Sequence, residues 1–78
     1  MKRLYIGAGR SEHVRPKDLV GAIIGEAGVR SDQIGSIQIS QKFSIVEVAD
    51  DVADHVMNAL RAGKLKGKRV RVRYDKAR

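Results

Sequence analysis

Apolar residues fall into two spacings along the chain, every second position in four stretches and every third or fourth in two others, and that division predicts the elements. Leu4, Tyr5 and Ile6 form a β-friendly trio that Gly7 and Gly9 cut short, so a first strand within residues 3–8 leads into a glycine-loosened loop. Leu19, Val20, Ile23, Ile24 and Ala27 recur at helical spacing, the pattern of one buried helix face. Pro16 suits the first helical position because it has no N–H to lose there. Asp18 faces the positive end of the helix dipole, and Gly28 is placed to cap the other end.

Ile37 and Ile39 alternate with Ser36, Gln38 and Ser40, which predicts a second strand. After a turn around Gln41 and Lys42, the third strand carries Phe43, Ile45 and Glu47 on one face and Ser44, Val46 and Val48 on the other. Asp50 or Asp51 is expected to cap a second helix, with Asp54 in its first turn and Ala53, Val56, Met57 and Leu60 inward until Gly63. A Lys64 to Lys68 loop containing Gly67 leads to a fourth strand, in which Val70, Val72 and Tyr74 alternate with Arg69, Arg71 and Arg73. The order is βαββαβ.

Both helices need an apolar surface to cover, and the inward rows of the strands supply one sheet face for the two of them. The fold class this predicts is α+β, a two-layer ferredoxin-like arrangement. It has a four-stranded antiparallel sheet with two helices on one face. Right-handed crossovers put the first and third strands at the centre and the second and fourth at the edges. Seventy-eight residues hold one such domain, 1–78, and not two independent cores.

Composition adds the partner class. With 42% hydrophobic and 32% charged residues the chain is expected to fold. It has no cysteine for a disulfide or a thiolate metal site, and no apolar run suited to a membrane span or a secretory signal, so a cytoplasmic protein is the expectation. The net charge is +7, and residues 63–78 alone carry eight bases against one acid. Clustered charge of one sign makes a field that steers a polyanion, with nucleic acid the first candidate.

Parity then selects the site. If Leu4, Ile6, Val46 and Val48 face the helices, Tyr5, Phe43 and Ile45 form an apolar platform on the open face, flanked by Arg69, Arg71 and Arg73. Bases stack on such platforms, while guanidiniums pair with phosphates or lie over bases. Gln38 and Glu47 offer base-edge contacts, and Lys64, Lys66 and Lys68 offer phosphate contacts. Arg10, Arg15, Lys17 and Lys42 extend the basic rim. Two plainer readings compete: a charged edge strand that only guards against aggregation, and a platform covered by a partner protein, which makes the chain a protein-docking domain.

On these residues the whole chain resembles the RNA-binding domain at the C-terminus of bacterial DEAD-box RNA helicases of the DbpA type, a divergent RNA-recognition motif. The resemblance rests on LYIGAGR, VRPKDLVGAIIGEAGV, DQIGSIQI, FSIVEV and KLKGKRVRVR. Tyr5 and Phe43 match the family's stacking aromatics, whereas Ile45 stands where ordinary RNA-recognition motifs usually carry a third. The resemblance implies a helicase accessory, itself without catalytic residues. It would tether an ATP-binding, hydrolysing core in cis to structured RNA, and several members are directed to a hairpin of large-subunit ribosomal RNA in ribosome biogenesis. The isolated domain is expected to be monomeric, without membrane contact and without a cofactor.

Other motifs fit less well. GAGRSE lacks the third glycine of a dinucleotide fingerprint, and no phosphate-binding loop for ATP is present. IIGEAG imitates the GXXG loop of KH domains but sets Glu26 against phosphate. His13 and His55 lie in different elements without a cysteine partner, so no metal site is expected.

Overall fold

The computed structural model describes residues 1–75. Along the chain run β1 (Lys2–Ile6), α1 (Pro16–Ala27), β2 (Ile34–Ile39), β3 (Ser44–Val48), α2 (Ala53–Ala62) and β4 (Val72–Tyr74). Tight 3-10 turns at Arg10–Glu12, Ser31–Gln33 and Asp50–Val52 join them. The strands pair antiparallel in the order β2-β3-β1-β4, the predicted ferredoxin-like arrangement, with β1 and β3 central.

Helix α1 begins and ends where its residue types dictate. Pro16 occupies the first position, the Arg15 N–H donates to Asp18 Oδ2 at 2.9 Å, and Gly28 closes the helix at φ 69°, donating to the Ile24 carbonyl at 2.9 Å. Its buried line is narrower than the spacing predicts: Leu19 and Ile23 are sealed, but Ile24, one residue further round the helix, is 37% exposed. Helix α2 buries Ala53, Val56, Met57 and Leu60 as predicted. Neither Asp50 nor Asp51 caps it. Both lie in a preceding 3-10 turn, where the Val52 N–H bonds the Ala49 carbonyl at 3.1 Å, so the chain tightens into the helix without a side-chain cap.

Leu4, Ile6, Val46, Val48 and Val72 from the sheet meet Leu19, Ile23, Val56 and Leu60 from the helices in one core. Ser44 is buried on the same face, and its hydroxyl donates to the Ala8 carbonyl at 2.7 Å. That bond is what makes a buried hydroxyl tolerable there.

The fourth strand is shorter than the alternation from Arg69 predicts. Pairing with β1 begins only at Ile6 opposite Val72, because the chain after Ile6 turns away and offers no further strand to the residues before Arg71. The Gly7 N–H still donates to the Arg71 carbonyl at 2.8 Å. Upstream, Leu65 and Lys68 exchange backbone hydrogen bonds around Lys66 at φ 54° and Gly67 at φ 78°, the two left-handed residues of a type I′ turn. Buried Leu65 anchors this turn to the core.

Gly9 decides how the loop after β1 lies. A Cβ there would sit 2.8 Å from the Phe43 nitrogen and closer still to the Ser40 carbonyl oxygen, so only glycine lets the loop press on the β2–β3 turn. Contact is sealed by the Arg10 N–H to the Ser40 carbonyl and the Ser11 N–H to the Gln41 carbonyl, both at 2.9 Å. The turn that presents Phe43 is thereby fastened from behind.

Candidate nucleic-acid interface

Strand register builds a row across the whole sheet. Gln38 on β2 pairs with Ile45 on β3, Ile45 with Tyr5 on β1, and Tyr5 with Arg73 on β4. All four lie on the face opposite the helices, since Leu4, Ile6, Val46, Val48 and Val72 take the other parity and are buried in the core. Phe43, one step off the row and immediately before β3, stacks on Tyr5 with ring centroids 5.4 Å apart and planes inclined by 16°. From the β4 side, the Arg73 guanidinium carbon stands 4.1 Å from the Tyr5 ring centroid. Tyr5 is thus held between a ring and a cation: near-parallel rings at this separation stack with an offset, and the negative face of the tyrosine attracts the guanidinium.

The exposed parts of this group differ from the sequence expectation at one residue. Phe43 is 36% exposed and Tyr5 is half-buried, but Ile45 is only 7% exposed. Ile45 sits on the predicted face in the middle of the row, and its neighbours there close over it. It therefore floors the platform and presents little surface of its own. Parity assigns a side chain to a face; it does not say how much its neighbours leave uncovered.

The polar flank is partly engaged. Glu47 Oε1 accepts from the Ser36 hydroxyl at 2.9 Å and from the Ser36 N–H at 3.3 Å, and these bonds, the hydroxyl first, hold its pKa below the ordinary carboxylate value. Arg3, opposite Glu47, pairs through Nε with Asp75 at 3.2 Å. Neither Ser36 nor Arg3 was singled out by sequence, although both share the parity of residues that were. Gln38 is exposed beside Ile45. Arg71 rises next to Gly7, its Cβ 3.3 Å from where a Gly7 Cβ would lie, and Arg69 is exposed further back along the chain.

The remaining predicted cations are not part of this group. Lys66 stands 3.7 Å from Asp18 of α1, and with Lys68 it lines a cleft shared with Glu12 and His13. Lys64 is exposed ahead of that turn, and Lys42 is exposed on the β2–β3 turn. Arg10 and Arg15 line a separate cleft behind the β2–β3 turn, and Lys17 is exposed in the first turn of α1. His55 Nε2 donates to the Ala27 carbonyl at 2.7 Å, tying α2 to the end of α1. Among the described residues no three His, Cys, Asp or Glu side chains gather to hold a metal, and no helix is long and apolar enough to cross a membrane.

Residues 3–74 match the family profile described as "DbpA RNA binding domain". The chain belongs to the DbpA RNA-binding domain family. It is 37% identical over 76 residues to the ATP-dependent RNA helicase DbpA of Escherichia coli, covering 97% of this chain and 17% of that protein. It is 34% identical over 70 residues to the ATP-dependent RNA helicase DbpA of Bacillus subtilis, covering 90% of this chain and 15% of that one. The chain thus spans about a sixth of the length of these curated relatives. Among solved structures, a domain titled RNA Binding Protein PG1 superposes with a TM-score of 0.74 at 20% identity, covering 100% of this chain and 98% of that one. The Nab3-RRM, from a structure concerned with recognition of non-polyadenylated RNAs, gives 0.76 at 19% identity over 99% and 97% of the two chains. These likenesses establish the RNA-recognition-motif fold, and family membership places Tyr5 and Phe43 within a DbpA-type RNA-binding domain.

Proposed function

We propose that this chain is a non-catalytic RNA-binding module that anchors a DEAD-box helicase core, joined in cis, to structured RNA, with a hairpin of large-subunit ribosomal RNA as its target. The observation that carries the reading is the Phe43–Tyr5–Arg73 stack on a sheet face that, among the described residues, no helix covers. A base meeting this group finds the outer side of Phe43 open and Arg73 poised beside it for phosphate or base contact. Membership of an RNA-binding domain family supports RNA as the ligand, and the naming of the curated relatives as helicases supports the anchoring role.

Titrating the protein with a large-subunit ribosomal RNA hairpin and with an unrelated hairpin of equal length, across a salt series, tests this. The expected result is tighter binding to the ribosomal fragment, with log K falling as log salt rises; five phosphate contacts on a single strand give a slope of about −3.5. Equal affinity for both hairpins overturns the ribosomal target. Absence of binding to either overturns the RNA reading and favours a protein partner on the same face. RNA recovered from cell extract on the immobilised protein, then sequenced, identifies the target directly.

A further inference from the structure

A second feature lies on the helix side of the sheet. The helix-facing residues of the central strands are sealed, Leu4 and Val46 both at 0% exposure, but on edge strand β2 the equivalent Ile37 and Ile39 are only half-buried. The helices cover the centre of the sheet and leave this edge uncovered. Between it and the start of α1 lies an open cleft of about 500 Å³, lined by the apolar Ile37, Ile39, Val14 and Pro16 together with Arg10, His13 and Arg15. That volume falls within the range of small-ligand sites, roughly 300–1,000 Å³.

Its two arginines are without an ion-pair partner: among the described residues no carboxylate forms an ion pair with Arg10 or Arg15. Two acids near in sequence are already engaged, Glu12 with the Gly9 N–H at 2.8 Å and Asp18 with the Arg15 N–H and Lys66. Arg10 is fixed by its backbone bond to Ser40, and Ser40 in turn donates to the Phe43 carbonyl at 2.8 Å. The cleft and the Phe43 ring therefore flank the same short turn, Phe43 in front and Ile39 behind, with exposed Lys42 on the turn itself.

An open cleft with an aliphatic wall, His13 beside it and two arginines without an ion-pair partner among the described residues fits a planar base that carries a phosphate. We infer that the cleft between β2 and the start of α1 takes one nucleotide of the bound RNA, its base against Ile37, Ile39 and Pro16 and its phosphate at Arg10 and Arg15. This rests on the RNA-binding reading above and adds to it a second point of contact off the sheet face.

Nuclear magnetic resonance titration of the labelled protein with adenosine 5′-monophosphate, adenosine and inorganic phosphate, in separate arms, probes the cleft alone. The monophosphate is expected to shift the Val14, Ile37 and Ile39 amides more than either half does. Equal shifts with phosphate alone reduce the site to an anion contact and overturn the inference, as does no shift in any arm. In parallel, a single-stranded RNA oligonucleotide is titrated against the unmodified protein, the R10Q/R15Q variant and F43A. Loss of that one phosphate contact predicts about tenfold weaker binding for R10Q/R15Q and a salt slope shallower by about 0.7, whereas F43A weakens binding with its slope retained. Impaired F43A with unchanged R10Q/R15Q removes the cleft and leaves the platform standing. Impaired R10Q/R15Q with unchanged F43A keeps the cleft and removes the platform, and no effect in either variant removes both.

Discussion

The guanidinium carbon of Arg73 stands 4.1 Å from the ring centroid of Tyr5, and the same two residues are register partners across β1 and β4. Register therefore delivers the cation to the ring, with no long-range loop needed to bring them together. Phe43 approaches from β3 on the other flank. In the free protein Tyr5 is already contacted from both neighbouring strands, which leaves Phe43 as the ring with most open surface, at 36% exposure.

Replacing Phe43 with alanine is expected to weaken single-stranded RNA binding by about 1–3 kcal/mol, the size of one base–aromatic stack. The ring lies outside the core, so the circular dichroism spectrum should keep its native form. A folded F43A protein with undiminished affinity would remove stacking from the account.

Arg73 has two roles that separate by substitution. Arg73→Gln removes a cation and is expected to make the salt slope shallower by about 0.7, while Arg73→Lys keeps the charge and the slope. Lysine lacks the flat guanidinium that lies over Tyr5, so R73K should still bind more weakly than the unmodified protein. Identical slopes for R73Q and the unmodified protein would place Arg73 off the phosphate path.

Gly9→Ala is expected to lower stability by roughly 1–3 kcal/mol, because the added methyl group meets the backbone of the β2–β3 turn and that backbone cannot yield as a flexible side chain would. Urea unfolding reads the loss directly. Since the same turn carries Phe43, the G9A protein should also bind RNA less well under conditions where it is fully folded. A variant with an unchanged urea midpoint would show that the loop can lift off the hairpin at no cost.

Acid should destabilise the fold through two carboxylates. Glu12, bonded chiefly by the Gly9 N–H, and Glu47, bonded chiefly by the Ser36 hydroxyl, both have pKa values below the ordinary 4.5. A lowered folded-state pKa means that their stabilising share is complete above the unfolded value and disappears as pH falls through the folded one. Urea midpoints should therefore hold steady near neutrality and drop below about pH 4.5. Ser36→Ala should flatten the part of that drop due to Glu47, and an unaltered acid profile in S36A would exclude it.

Much of this was legible from residue order alone. Helix α1 starts at Pro16 and is closed by Gly28 as written, because capping chemistry is local: an absent N–H, a carboxylate three residues past the cap and a glycine free to adopt positive φ each act within one turn. Strand parity likewise placed Tyr5 and Phe43 on one face, since alternate side chains of a pleated strand must point oppositely. The errors have a different character. Asp50 and Asp51 have the right chemistry for capping but lie one tight turn too early. Val70 alternates correctly with Arg69 and Arg71 yet has no strand to pair with once β1 has ended.

Local order, then, determined the element types, the helix ends, the two faces of each strand and the concentration of positive charge in the last sixteen residues. Tertiary structure decided what those faces expose. It sealed Ile45 between its register neighbours, laid Arg73 over Tyr5, pressed Gly9 against the turn behind Phe43 and left a cationic cleft beside Ile37 and Ile39. The physical reason is range: propensity, capping and alternation act between residues a few positions apart, whereas exposure depends on which distant strands become neighbours and how fully two short helices can cover a four-stranded sheet.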